Sequence, residues 1–282
     1  MFGDGSLVTA PTRIGNRDFA WGSRTFVMGV INATPDSFSG DGVLDSTLAA
    51  ERACSMVEGG AALIDIGAES SRPGYQLVSP AEEWARLEAV LRAVRDAVEV
   101  PISVDTTRAA VAERAFDAGA DALNDINGLR EAPELARLLA RSGRPAVLMH
   151  NQRGREFSGD VIADVRAGLQ ESLALAERGG LDCTRLVLDP GFGFGWEVSQ
   201  NLELLRRLGE LRTLGRPLLV GTSRKSTIGT VLDRAEGERR WGTAATLALA
   251  VRAGVDIVRV HDVAEMAEVV RMADAVVRGW PA

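Results

Sequence analysis

A single lysine, Lys225, stands among the 32 Lys and Arg residues of this chain, in the small-residue stretch VGTSRKSTIG. Other groups able to bind a ligand follow short apolar runs: Asn32, Asp105, Asn124 and Asp189. Ionised carboxylates only accept hydrogen bonds, an ammonium only donates them, and an amide does both. Such a set suits a flat heterocycle that presents an amino edge and a carbonyl edge.

A second group of residues is suited to an anion. Arg72 follows the second apolar run, and Arg259 and His261 follow the last one. The glycine and small residues of GTSRKSTIG leave backbone N–H groups available at a helix start, which is a common way to hold phosphate. We therefore expect a phosphate or pyrophosphate cradle with cationic side chains. For Arg224, a surface salt bridge is an equally good interpretation.

Further polar residues, Asp65, Asp125 and His150, lie in or directly after other apolar runs. For any single Asp or Asn at such a position, capping of the next helix is an equally good explanation. Both histidines of the chain fall at such positions, as does the lysine, whereas a random scatter would place most of them on helices. We therefore predict a ring of polar side chains around one site.

The elements that must position this ring are short apolar runs alternating with stretches of helical periodicity. Strands are predicted at residues 25–32, 62–67, 101–106, 122–127, 146–150, 185–190, 217–222 and 256–262. Strands apolar on both faces, separated by amphipathic helices, indicate a parallel sheet with right-handed crossovers. Eight such units predict an α/β fold, a (β/α)8 TIM barrel, with its chemistry at the carboxyl ends of the strands. The alternative is an open doubly wound sheet, but the sequence has no G-x-G-x-x-G at the start of its first helix, which is the signature of that fold.

We predict one domain over residues 1–282, with an N-terminal β-hairpin in 1–25 and the barrel in 26–280. The turn-prone pair Gly15 and Asn16 marks the hairpin, which is placed to cover the barrel floor. Ser79 and Pro80 predict the start of a helix. Several glycines are expected to end helices in the left-handed conformation: Gly59, Gly119, Gly143, Gly179 and Gly254.

Several classes of protein are not indicated. The sequence has no H-E-x-x-H, no paired cysteine cluster and no G-x-S-x-G, so neither a zinc hydrolase nor a serine esterase is favoured. A net charge of -7 argues against a nucleic-acid partner, which needs a clustered basic face. Cys54 and Cys183 have no neighbour at metal or redox spacing, so we expect buried thiols in a reducing compartment. Without a signal-like start or a run of ~18 apolar residues, a cytoplasmic protein with no membrane partner is expected.

Eight motifs, in order from residue 27 onwards, resemble the dihydropteroate synthase family of folate biosynthesis: MGVINATPDSFSGDG, DIGAESSRPG, ISVDTTRAAVA, NDING, LMH, LDPGFGFG, VGTSRKSTIG and IVRVHD. The first motif and SRKS are specific signatures. The resemblance implies condensation of 6-hydroxymethyl-7,8-dihydropterin pyrophosphate with 4-aminobenzoate, giving 7,8-dihydropteroate and pyrophosphate. It also implies Mg²⁺ as cofactor and a homodimer formed through the side of the last helices.

Roles carry over by matching positions. The pterin ring is implied to bind Asp105, Asn124, Asp189 and Lys225, in a slot lined by Ile126, Met149 and Phe194. The resemblance places pyrophosphate against Ser71, Arg72, Arg259 and His261, and Mg²⁺ at Asn32. The 4-aminobenzoate side is implied to include Ser223 and Pro73. Of these residues, the catalytic set is expected to be Arg72, Asp105, Lys225, Arg259 and His261.

The implied mechanism is largely dissociative, with pyrophosphate leaving before the neutral arylamine attacks. The role of Lys225 suggests why the chain keeps one lysine. A compact ammonium fits between a ring carbonyl and a ring nitrogen, whereas the planar guanidinium fork of arginine is too wide for that position. Arginine at this position is therefore expected to abolish the fit.

Departures from the family pattern are SFSGDG in the first loop, where SFSDGG is common, NQRG after LMH, and DIGA in place of DIGG. None alters a pterin or phosphate ligand, so they bear on 4-aminobenzoate and on the sulfonamides that mimic it. Two alternatives are a pterin-dependent methyltransferase domain and a non-catalytic pterin-binding paralogue. The former would not need SRKS, Arg259 and His261, and the latter should have lost part of the ring.

Overall fold

A computed structural model describes residues 10–33, 45–69 and 78–280, and contains the predicted hairpin and all eight predicted strands. The ten strands are Thr12–Ile14 (β1), Arg17–Phe19 (β2), Phe26–Asn32 (β3), Leu63–Gly67 (β4), Ile102–Asp105 (β5), Ala122–Asp125 (β6), Ala146–Met149 (β7), Leu186–Asp189 (β8), Leu219–Val220 (β9) and Ile257–Val260 (β10). Strands β1 and β2 pair antiparallel, and β3 to β10 form a second, parallel sheet.

The parallel sheet closes on itself. Its strands lie in the order β8-β7-β6-β5-β4-β3-β10-β9. A parallel bridge between Leu188 and Leu218 joins β8 to the residue before β9. At the same place the Leu188 amide donates to the Pro217 carbonyl at 2.9 Å. The prediction of a (β/α)8 barrel is therefore confirmed.

Helices connect successive barrel strands. They are Ser46–Glu58 (α1), Pro80–Ala97 (α2), Ala109–Asp117 (α3), Glu134–Ser142 (α4), Val161–Arg178 (α5), Val198–Arg206 (α6), Ser226–Leu232 (α7), Arg240–Arg252 (α8) and Val263–Arg278 (α9). Short 3-10 helices occupy Cys183–Arg185, Leu208–Leu214 and Glu236–Glu238. The larger hydrophobic core lies between the outer side of the barrel and these helices.

The hairpin covers the amino-terminal floor of the barrel, as predicted. Its apolar residues Ile14 and Phe19, with the following Trp21, form one cluster with residues near the starts of the barrel strands: Phe26, Met28, Leu63, Ala122, Val147, Val187, Leu219 and Ile257. The buried Trp21 indole donates to Thr12 Oγ1 at 2.9 Å, so its polar group is satisfied. Because the floor is closed by apolar packing, a ligand site is left to the carboxyl ends of the strands.

Helix ends follow the predicted signals with two exceptions. Ser79 Oγ accepts from the Glu82 amide at 3.2 Å at the start of α2. Left-handed glycines occur as predicted at Gly119, Gly143 and Gly254. The prediction is wrong for Gly59 and Gly179, with φ of -71° and -78°. In both cases a second glycine follows, Gly60 or Gly180, and takes the left-handed conformation.

In the parts of the chain that the structure describes, no helix combines the length and the apolar character that crossing a membrane requires.

Candidate active site

Polar side chains from several strands meet at the carboxyl end of the barrel. Strand register places Asn32 beside Gly67, Gly67 beside Asp105, and Asp105 beside Asn124. Farther round the barrel, Asp189 lies beside Met149. The predicted heterocycle-binding residues of these strands thus lie at one end of one barrel.

Asp65 is the most buried carboxylate of the site and the centre of its hydrogen-bond network. Its side chain has 0% exposure. Oδ1 accepts from Ser103 Oγ at 2.5 Å, and Oδ2 accepts from Asn124 Nδ2 at 3.0 Å and from Arg259 Nε at 2.7 Å. The convergence of three donors compensates the burial of the charge.

Arg259 is shared between two carboxylates. Its Nη2 lies 2.6 Å from Asp65 Oδ2 and 3.0 Å from Asp105 Oδ2. Burial raises the pKa of Asp105 to about 7, although the charge of Arg259 opposes the shift. A ligand that donates a hydrogen bond to Asp105 therefore favours its ionised form near neutral pH.

Asp189 is a nearly buried carboxylate contributed by β8. Its Oδ1 accepts from the Gly191 amide at 2.8 Å. Burial raises the pKa of Asp189 to about 6, while the Gly191 hydrogen bond and the charge of Lys225 oppose the shift. At neutral pH the carboxylate is largely ionised in a poorly solvated position, which suits a ligand with several N–H donors.

Lys225 is half-buried against the ring of Phe194. Its Nζ lies 4.1 Å from the ring centre, and the guanidinium carbon of Arg153 lies 5.0 Å from the same point. Gly193 makes room for the lysine, because a Cβ there would lie 3.0 Å from Lys225 Cδ. Burial lowers the pKa of Lys225 to about 8, so the ammonium is still mostly charged at neutral pH.

Ser223 and His261 form a pair at the ends of β9 and β10. The His261 amide donates to Ser223 Oγ at 3.2 Å, and Ser223 Oγ lies 3.0 Å from His261 Nδ1. Burial, reinforced by the charges of Arg259 and Arg224, lowers the pKa of His261 to about 4. The expectation that His261 is cationic is therefore wrong for the free protein, where the imidazole is neutral.

Arg224 forms the salt bridge that was one of its two interpretations. Its Nε donates to Asp262 Oδ2 at 3.2 Å, and Nη2 contacts the other oxygen of the same carboxylate. Arg239 Nη1 donates to the Arg224 carbonyl at 2.9 Å. Arg224 thus shapes the loop that presents Lys225.

Two members of the predicted ring make their side-chain hydrogen bonds outside the Asp65 network. His150 packs on Trp196, with ring centres 5.7 Å apart, and contacts Gln152 Oε1 through Nε2 at 2.9 Å. A Cβ at Gly168 would lie 2.0 Å from His150 Nδ1, so the imidazole fills a space that helix α5 leaves open. Asp125 accepts from the amides of Asn127 and Leu129 and caps the following turn.

Of the remaining predicted residues, four lie within the described parts of the chain and three lie outside them. Met149 and Phe194 are buried, whereas Asn32 and Ile126 are half-buried at the ends of β3 and β6. Ser71, Arg72 and Pro73 lie outside the described residues, as does the SFSGDG loop.

Of two further residues in the network, the sequence places Asp65 in the predicted ring without assigning it a ligand, and it does not predict Ser103. The signal for Asp65 is a charged residue inside the otherwise apolar strand LIDIG. Ser103 carries no distinctive sequence signal, because one serine in a strand is compatible with many environments. Together the described groups offer two carboxylates of raised pKa, an amide and an ammonium beside an aromatic ring, which is the donor and acceptor set of a site for a flat heterocycle.

Comparison with known proteins agrees with this chemistry. Residues 28–261 match the family described as pterin binding enzyme. A dihydropteroate synthase from Synechocystis is 46% identical over 276 residues, which cover 95% of this chain and 96% of the relative. The crystal structure of dihydropteroate synthase from Clostridium difficile, determined with pteroic acid, has a TM-score of 0.89 and 43% identity over 92% of this chain and 99% of that one. The Xanthomonas albilineans synthase with 4-aminobenzoic acid has a TM-score of 0.91 and 37% identity, over 97% of this chain and 100% of that one.

Identity at this level extends along nearly the whole chain, well beyond what a shared barrel architecture requires. The similar proteins are named as synthases, which favours the synthase over the methyltransferase alternative. The chain therefore belongs to the dihydropteroate synthase family of pterin-binding enzymes, which are transferases.

Proposed function

We propose that this protein condenses 6-hydroxymethyl-7,8-dihydropterin pyrophosphate with 4-aminobenzoate, forming 7,8-dihydropteroate and pyrophosphate. The observation that carries the proposal is the grouping of Asp105, Asn124, Asp189 and Lys225 at the carboxyl end of the barrel. A pterin ring presents N–H groups on one edge and acceptors on another. The buried acceptors and the ammonium match both edges.

In the proposed complex, Asp189 accepts from the 2-amino and N3–H edge of the pterin, and Lys225 donates to O4 and N5. Asp105 and Asn124 complete the polar contacts, while Ile126, Met149 and Phe194 line the slot. Burial has raised the pKa of Asp189 and lowered that of Lys225, so both charges lack water and are compensated by a bound pterin. These two charges are therefore expected to favour binding of the pterin ring.

For pyrophosphate we propose contacts with Arg259 and His261, together with Ser71 and Arg72. Neutral His261 is suited to this role as a donor. We assign the Ser223 proton to His261 Nδ1, since Ser223 Oγ lies 3.0 Å from Nδ1 and accepts from the His261 amide, and this assignment leaves the imidazole proton on Nε2. The Nε2–H group then donates to a phosphate oxygen without requiring a charged imidazole.

Asn32 fits the role of a magnesium ligand. Its side-chain oxygen is a hard donor, half-buried at the end of β3 and at the level of Asp105. Mg²⁺ in phosphate sites takes few ligands from the protein and completes its coordination with water and phosphate oxygens. When bound, Mg²⁺ would neutralise charge that develops on the departing pyrophosphate.

We infer a largely dissociative substitution. The bond between the pterin methylene carbon and the pyrophosphate oxygen breaks first, and its electron pair leaves with pyrophosphate. The methylene cation is delocalised into the pterin ring, beside the carboxylates of Asp105 and Asp189. The neutral amine of 4-aminobenzoate then attacks the methylene carbon and loses a proton.

For 4-aminobenzoate we propose a position next to Ser223, Phe194 and Pro73. Ser223 is buried and lies two residues before Lys225, whose ammonium contacts the Phe194 ring. Sulfonamides resemble 4-aminobenzoate in shape and in their aromatic amine. They are therefore expected to compete at this position.

A homodimer through α8 and α9 is part of the proposal. These helices pack against each other and carry large apolar side chains that are exposed in the single chain, among them Trp241 at 79% and Val276 at 73%. Met272, one turn before Val276, is also exposed. Large apolar side chains exposed on two adjacent helices are typical of an interaction surface. A second copy of the chain is the partner that we propose for it.

A cytoplasmic location is also proposed. Cys54 and Cys183 are both free thiols, which suits a reducing compartment. The two substrates of the proposed reaction are small soluble molecules.

The proposal is tested with 4-aminobenzoate labelled with ¹⁵N at its amine. Purified protein is incubated with this compound, dihydropterin pyrophosphate and Mg²⁺, and the products are analysed by mass spectrometry. The expected product is dihydropteroate that retains the ¹⁵N label, with one pyrophosphate per product molecule. Binding of the pterin without labelled product would instead support the non-catalytic paralogue.

A further inference from the structure

Asp65 is a charged residue with no exposed side-chain surface, in the middle of strand β4. Burial of an ionised carboxylate strongly disfavours folding unless hydrogen bonds compensate it. Here the compensation comes from Ser103, Asn124 and Arg259. Two of these three partners are residues that the proposed function assigns to the substrate.

We propose that Asp65 is a positioning residue of the pterin site, fixing the orientation of the Asn124 amide and of the Arg259 guanidinium without itself contacting the substrate. This inference rests on the proposed function, because the ligand whose binding it affects is dihydropterin pyrophosphate.

Asp65 can fix the orientation of the Asn124 side chain because an amide has a donor end and an acceptor end. A carboxylate only accepts hydrogen bonds, so the amide nitrogen of Asn124 must face Asp65, at 3.0 Å. This contact uses one N–H group. The positions of the carbonyl oxygen and of the second N–H relative to the pterin are then fixed. An amide turned by 180° would exchange the donor and the acceptor that face the pterin.

Asp65 holds Arg259 through two of its guanidinium nitrogens, Nε and Nη2. Asp65 Oδ2 accepts from Nε at 2.7 Å and lies 2.6 Å from Nη2, so it fixes the plane of the guanidinium. Asp105 Oδ2 accepts from Nη2 at 3.0 Å. Without the Asp65 charge, Asp105 is the salt-bridge partner that Arg259 keeps among the described residues, and the guanidinium can turn toward it. Asp105 is then less available to the pterin.

The test uses Asp65→Asn, which keeps the size of the side chain but replaces one acceptor oxygen with a donor. Binding of dihydropterin pyrophosphate is measured by titration calorimetry without 4-aminobenzoate, and steady-state kinetics give KM for each substrate. We expect the pterin Kd to rise about 10- to 100-fold, the change produced by loss of hydrogen bonds to a charged group. The KM for 4-aminobenzoate should change less than about threefold, since its proposed contacts do not involve Asp65.

Ser103→Ala is the matched control, because it removes a hydrogen bond from the same carboxylate on the side away from both ligand-binding partners. It should lower the melting temperature while leaving the pterin Kd within about threefold of wild type. Equal weakening by both variants would mean that Asp65 serves only the stability of the barrel, and would overturn the inference. Wild-type pterin affinity in a folded Asp65→Asn protein would overturn it as well.

A crystal structure of the wild-type protein with the pterin substrate provides a reading that does not depend on the folding of a variant. Asn124 Nδ2 and Arg259 Nε should both remain within hydrogen-bonding distance of Asp65. Loss of either contact in the complex would overturn the positioning role. A wild-type protein that binds no pterin in either experiment would instead refute the proposed function.

Discussion

Lys225 Nζ lies 4.1 Å from the centre of the Phe194 ring, and its stem passes so close to Gly193 that a Cβ there would lie 3.0 Å from Lys225 Cδ. The space around the ammonium is therefore narrow. Lys225→Arg keeps the positive charge but replaces a compact donor with a planar fork. We expect kcat/KM for dihydropterin pyrophosphate to fall by about 100-fold, the scale of loss caused by misplacing a group by ~1 Å.

The control for this substitution is Arg224→Lys at the neighbouring position. Arg224 pairs with Asp262, and a lysine can retain an ion pair there, so turnover should stay near the wild-type value. Near-wild-type turnover in Lys225→Arg would remove the explanation for the single lysine.

Binding of the pterin should show a bell-shaped pH dependence. Asp189 and Asp105 must be ionised to accept hydrogen bonds, and burial raises their pKa values to about 6 and about 7. Lys225 must be protonated, and burial lowers its pKa to about 8. Affinity for 6-hydroxymethyl-7,8-dihydropterin, which lacks the titrating pyrophosphate, should therefore fall below about pH 7, where Asp105 is protonated first, and above about pH 8. A constant affinity between pH 5 and pH 9 would contradict these assignments.

Asp189→Asn should stabilise the fold while impairing pterin binding. The folded pKa of Asp189, about 6, lies above the ordinary value of 3.8, so the protonated carboxyl stabilises the fold below pH 3.8, and this contribution is lost as pH rises through 6. Asparagine keeps an oxygen for the Gly191 amide and avoids the buried charge. We expect the Tm to rise by roughly 2 to 6 °C at pH 8. The difference should disappear near pH 4, and a lower Tm at pH 8 would contradict the account.

Arg108 should stabilise the fold by connecting Glu69 with Val78, the described residues on either side of segment 70–77. It donates to Glu69 Oε2 at 2.9 Å and to the Val78 carbonyl at 2.9 Å, and it also contacts Glu83, a buried carboxylate. Arg108→Met leaves Glu83 without its cation, which should lower the free energy of unfolding by about 3 kcal/mol. Denaturant unfolding measures the change.

Adding Glu83→Gln to Arg108→Met should restore part of the lost stability, because the unpaired charge is then removed. Equal stability of the single and double variants would show that the unpaired charge of Glu83 does not cause the loss of stability in Arg108→Met.

The proposed dimer surface can be tested with Val276→Glu, which places a charge on the exposed apolar part of α9. Light scattering should report a dimer for the wild type and a monomer for the variant. Leu202→Glu is the matched control, since Leu202 is also exposed but lies on α6. A variant at Val276 that keeps the wild-type mass would exclude this face as the interface.

The barrel was predictable because its signals are local. Each strand is an apolar run of a few residues that ends before a polar residue, and the helices between carry caps such as Ser79. The hairpin was marked by its turn at Gly15. The left-handed glycines at helix ends were predicted one position too early where two glycines occur in succession.

The composition of the site was only partly predictable, because side-chain direction at a strand end depends on distant contacts. His150 turns toward helix α5 because Gly168, 18 positions later, leaves space for the ring. Asp125 caps its own turn, a choice that its type permits but does not require. The charge of His261 depends on burial and on nearby arginines, so residue type alone predicted a cation where the structure has a neutral imidazole.

The most direct test of the central claim is the release of pyrophosphate by the purified protein, measured with Mg²⁺ and dihydropterin pyrophosphate in the presence and absence of 4-aminobenzoate. The account predicts multiple turnovers only with 4-aminobenzoate, with one dihydropteroate formed per pyrophosphate released. Tight pterin binding without release under either condition would contradict the synthase account and support the non-catalytic alternative.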